Sequence, residues 1–196
     1  MHHIRIVFIF LSISLFLFCA YSCTSSNRER IPDEYIEVYY FKGRPDANLS
    51  CSKEFSIDEA DSLGDITIKS SDYQRIVKYV NDAENVSGES LTCDMFMQCN
   101  ISGPGKVTRR LCINVFNCTT LDNKQVIVSD SLIYLLRNYS GYYNYIESER
   151  LRIFEELEKI GVPPGYKDLS KLDESSNKDF ARIIIRPEKY NSGEPE

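Results

Sequence analysis

Cysteine offers this chain most of its possible chemistry, because its imidazoles end almost at once. Both histidines are His2 and His3. From residue 4 onward no Ser-His-Asp or Cys-His nucleophile, His zinc ligand or His general base can be assembled. Carboxylates remain, and a glycosidase needs only two of them held across a bond. The 29 Asp and Glu residues, however, are scattered through polar stretches that single out no pair. Gly103-Pro104-Gly105-Lys106 is too short for a phosphate-cradling loop. The expectation is a chain that needs no metal or organic cofactor and acts without catalysis.

Cys93, Cys99, Cys112 and Cys118 lie on two β-like runs, Thr92 to Cys99 and Leu111 to Cys118, on either side of Gly103-Pro104-Gly105. Facing residues of an antiparallel hairpin have residue numbers with a constant total. Cys93 with Cys118 and Cys99 with Cys112 share one total, which leaves Pro104 to Val107 as the hairpin loop. Directly opposed cysteines have Cβ atoms close to disulfide spacing. The register therefore predicts Cys93–Cys118 and Cys99–Cys112. Reduced core thiols are one alternative. A four-cysteine zinc site is another, although such sites use closer spacing within each pair. Cys51 has no evident partner.

The elements that must carry these residues read as an α+β domain with a mainly antiparallel sheet. Strands are expected near 35–42, 65–69, 92–100, 108–118, 124–128 and 181–186, from aromatic and β-branched runs that stop at turn residues. Residues 44–64 read mostly as loop. Helices are expected near 71–82, 130–140 and 145–160. The first has a capping-box spacing at Ser71 and Gln74, and Tyr73, Ile76, Val77 and Val80 on one face. The second is capped at Ser129 or Asp130 and carries Leu132, Leu135, Leu136 and Tyr139. The third opens at Asn144 to Glu147, turns Ile153, Phe154, Leu157 and Ile160 inward, and stops at Gly161.

Ahead of this domain, Arg5 precedes an apolar run from Ile6 to Phe18, and Ala20-Tyr21-Ser22 brings small residues up to Cys23. The run is shorter than the ~20 residues a spanning helix requires. This leader resembles a bacterial lipoprotein signal peptide. The resemblance implies cleavage before Cys23 and a lipid on its thiol. Residues 1–22 would then be the signal, 23–34 a polar tether, 35–187 the folded domain and 188–196 a disordered tail. It also implies a bacterial cell envelope location, membrane-bound through the N-terminal lipid. No acidic cluster follows Cys23, which favours the outer membrane facing the periplasm over surface export in the Bacteroidetes manner. Asp61-Ser62-Leu63 and Asp130-Ser131-Leu132 resemble the short O-glycosylation motif of that group.

From Cys23 onward, 22 basic residues face 29 acidic ones, a net charge of −7. With Arg109-Arg110 as the one basic doublet of the body, this balance argues against a nucleic-acid partner. Five N-x-S/T triplets begin at Asn48, Asn85, Asn100, Asn117 and Asn138, where composition predicts roughly two. A eukaryotic secreted ligand-binding glycoprotein is thus a rival class, alongside a carboxylate-type envelope enzyme. Tyr134, Tyr139, Tyr142, Tyr143 and Tyr145 form a dense patch. It reads either as a surface for a protein or glycan partner or as a helix end packed on the sheet.

Overall fold

In β1, Tyr35–Phe41, every second residue points to the same face, so Ile36, Val38 and Tyr40 enter the core while Glu37, Tyr39 and Phe41 face the other way. The computed structural model describes residues 34–42, 51, 60–86, 96–102, 108–171 and 179–188, all of them within one compact unit, Asp33–Glu196.

The remaining strands are β2 (Ala60–Ile68), β3 (Glu84–Asn85), β4 (Met97–Ser102), β5 (Thr108–Ile113), β6 (Thr119–Leu121), β7 (Lys124–Ile127) and β8 (Phe180–Pro187). They form one sheet in the order β2-β8-β1-β4-β5-β6-β7-β3. Only the β2–β8 pair is parallel. The fold is therefore α+β with a mainly antiparallel sheet, as the sequence indicates. β2 starts at Ala60, inside the stretch read as loop, and bulges between Ser62 and Asp65, where Gly64 has φ 91°.

Helices α1 (Ser70–Asn81) and α2 (Asp130–Tyr139) cover the core face. Their anchors show each crossing the strands rather than following them. In α1, the Tyr73 hydroxyl donates to the Ser102 carbonyl at the end of β4, and Asn81 Oδ1 accepts from Arg109 on β5. In α2, the chain enters directly from β7 and leaves where the Tyr40 hydroxyl donates to the Ser140 carbonyl. Tyr73, Ile76 and Val80 of α1, with Leu132, Leu135 and Leu136 of α2, fill the core. Each fully buried aliphatic contributes about 1.5–3 kcal/mol. Ser129 caps α2, its Oγ accepting from Leu132 N at 3.3 Å. The capping box at Ser71 does not form: Lys69 is the N-cap, and the Ser70 hydroxyl donates to the Glu188 carbonyl instead.

The third expected helix is broken. Two 3₁₀ segments, Tyr142–Tyr145 and Ser148–Ile153, precede a short α3, Glu155–Ile160. Phe154 is extended at φ −93° and ψ 109°, which interrupts the helical ladder. That kink changes the buried face: Phe154, Glu156 and Leu157 point inward, while Ile160 is exposed. Asn144 lies inside the first 3₁₀ turn, where its side chain accepts from Lys167 N rather than capping a helix. Glu188, expected in the tail, is held by its N–H on the Ile68 carbonyl; 189–196 lie outside the described residues. No described helix is long and apolar enough to cross a membrane.

The cysteine register needs correction. β4 and β5 pair Cys99 with Leu111 and Gln98 with Cys112, one residue away from the expected alignment. A shift of one residue moves side chains to opposite faces. Cys99 therefore points into the core, and Cys112 points away from it. Cys99 is a free, fully buried thiol, so the expected Cys99–Cys112 bond does not exist. Cys112 instead bonds Cys51, with Cα atoms 6.0 Å apart. The alternation also stops early, because β5 ends at Ile113. Asn114 turns the chain by accepting Cys118 N on Oδ1 at 2.7 Å and donating its own N–H to the Cys118 carbonyl at 3.0 Å. Asn117 takes φ 57°, a left-handed conformation that asparagine tolerates. Cys118 is disulfide-bonded from this turn, to a partner outside the described residues. Cys93 and the lipidation candidate Cys23 also lie outside them.

Candidate functional site

The tyrosine patch is mostly interior. Tyr142 and Tyr143 are 1% exposed and pack edge-on against Phe154, which corrects the reading of these two as an interaction surface. Tyr145 is half-buried against Tyr40, with the Lys42 ammonium over its ring. The Tyr139 hydroxyl donates to Asp72 on α1 at 2.6 Å, and Tyr134 leans on Tyr143. The patch is the place where the end of α2 and the first 3₁₀ turn pack on the sheet.

Beneath it lies a polar cluster that periodicity did not reveal. Arg137, on the inner face of α2, is 1% exposed, and Glu156 of α3 is fully buried. Arg137 Nη1 donates to Glu156 Oε1 in a short ion-paired contact, and to Asn117 Oδ1 at 3.3 Å. Its Nη2 donates to the Asn114 carbonyl at 2.6 Å. The Tyr143 hydroxyl donates to Glu156 Oε1 at 2.7 Å, and Asn117 Nδ2 donates to Oε2 at 3.3 Å. The guanidinium also sits over the rings of Phe154 and Tyr142, at 4.9 and 5.5 Å from their centroids. Burial, and then the Glu156 charge, push the Tyr143 hydroxyl pKa well up, so it stays a donor. Among the described residues of this cluster, Arg137 Nε is left without a partner.

A second cluster occupies the opposite face of the sheet, on three adjacent strands. Arg182 of β8 donates from Nε to Glu37 Oε1 at 2.7 Å, with Nη2 2.6 Å from the same oxygen. The Tyr39 hydroxyl donates there at 3.1 Å, and Asn100 Nδ2 donates to Oε2 at 3.4 Å. Gln98 Nε2 donates to Asn100 Oδ1, whereas its own Oε1 is buried without a partner among the described residues. Arg182 and Glu37 retain 16% and 17% exposure. Burial, and then Glu37, raise the Tyr39 pKa. Beside this cluster Cys112 and Thr120 carry Cys51 across the face, Thr120 Oγ1 donating to Cys51 Sγ at 3.2 Å.

Among the described residues each cluster has a single carboxylate, already engaged by an arginine. Burial raises the Cys99 thiol pKa strongly, which keeps it protonated and unreactive. Among the described residues no three His, Cys, Asp or Glu converge on a possible metal position. Arg109 of the basic doublet pairs with Asp122 at 3.1 Å. Of the N-x-S/T asparagines, Asn100 and Asn117 commit their amides to Glu37 and Glu156, Asn138 is half-buried on α2, and Asn85 is exposed. Among the described residues the most exposed large apolar side chain is Phe116, 75% accessible, at the tip of the Asn114–Cys118 turn. This turn lies at the end of the sheet opposite Tyr35. No protein-family model, curated protein or solved structure matches the chain.

Proposed function

We propose that the chain is a lipid-anchored bacterial envelope protein with a non-catalytic binding or scaffolding role. The observation that carries this reading is the leader, in which an apolar run ends in Ala20-Tyr21-Ser22 immediately before Cys23. The disulfide Cys51–Cys112 and the bonded Cys118 support an oxidising compartment. The outer membrane facing the periplasm is the location this reading assigns, with no cofactor and no nucleic acid required. Phe116, exposed at the end of the strands opposite Tyr35, is a surface this reading offers to a protein or glycan partner. The internally bonded amides of Asn100 and Asn117 weigh against the secreted glycoprotein, since a glycan would displace those bonds.

Mass analysis of the N-terminal peptide from protein expressed in a bacterium should find a diacylglyceryl group on Cys23. Cys23→Ser should move the protein from the membrane fraction to the soluble one. An unmodified Cys23, or a serine variant that stays in the membrane, would sink the proposal.

A further inference from the structure

We draw no further inference here: the strongest candidate, the half-open Glu37–Arg182–Asn100 cluster beside the buried Gln98 on the sheet face opposite the helices, carries nothing, because its hydrogen-bonding groups single out no one class of ligand and nothing among the described residues shows what covers it.

Discussion

Arg137–Glu156 and Arg182–Glu37 are the same chemical pair in two dielectric settings. The first lies under the helices at 1% and 0% exposure, the second on the opposite sheet face at 16% and 17%. Both carboxylates receive a tyrosine hydroxyl and an asparagine amide beside the arginine. What differs is access to water. In the closed cluster any lost partner leaves a charge with nothing to replace it, so the network specifies one arrangement of α2, α3 and the Asn114–Cys118 turn. In the half-open cluster water can stand in, which frees the residues to meet something else at modest cost.

The largest test breaks the closed pair. Arg137→Met alone should destabilise the domain by about 3–5 kcal/mol, because Glu156 would be left as an uncompensated buried charge. Adding Glu156→Leu should recover most of that loss in urea denaturation. If the single variant costs no more than the double, the pair is not the constraint described here. Next in size is the bond on the other face. Cys51–Cys112 closes a loop across a sequence separation of 61, for which the chain-entropy estimate is about 4 kcal/mol. Cys51→Ala/Cys112→Ala should lower the thermal midpoint correspondingly, and peptide mapping of the wild type should recover this bond and no Cys99–Cys112 bond.

Tyr143→Phe removes one charge-assisted hydrogen bond to Glu156 and should cost about 1.5–3 kcal/mol. The tyrosines also set an alkaline limit. Burial, and then Asp72, push the Tyr139 pKa up to about 12, and burial raises Tyr73, Tyr142 and Tyr143 as well. A raised folded-state pKa means that the folded chain holds its proton longer than the unfolded one. The associated stability is complete below the unfolded value of about 10 and is lost as pH rises toward the folded values. Tyrosinate absorbance from these four should therefore appear together with unfolding. Ionisation of all of them in a still-folded protein would contradict their burial.

How much of this was legible in the sequence differs between the faces as well. The helix faces of α1 and α2 and most strands follow from apolar periodicity, which needs only the local chain. The closed cluster did not show, because Arg137 within Leu135-Leu136-Arg137 reads as a solvent position and its partners are 19 to 23 residues away. Asn114 and Asn117, inside an apparent strand, were the available signal: both favour turns, and either could have ended the alternation at Ile113. That unrecognised turn also removed half of the constant-total argument, which assumed an unbroken strand to Cys118, while the one-residue shift of Cys99 against Cys112 belongs to the β4–β5 pairing that closes at Ser102 and Thr108. The broken third helix escaped for a related reason. Its apolar spacing fits a helix well, and only the need to bring Glu156 inward to Arg137 shows why Phe154 is extended.

The smallest expected effect is the one that sharpens the comparison most. Arg182→Met and Glu37→Gln each expose their former partner to water rather than stranding it in the core. Each should cost about 0.5–1 kcal/mol in urea denaturation, several-fold less than Arg137→Met in the same chemical pair. Salt should discriminate as well. Raising ionic strength should weaken the contribution of the half-open pair and leave that of the closed pair nearly unchanged, because counter-ions reach only partly exposed charges. Gln98 gives the internal control. Its Oε1 is buried and unpartnered beside this cluster, so Gln98→Met should be neutral or mildly stabilising, removing an acceptor that gains nothing at the loss of one bond to Asn100. A cost for Gln98→Met as large as that of Tyr143→Phe would mean that the second face is as closed as the first, and the contrast between the two clusters would fail.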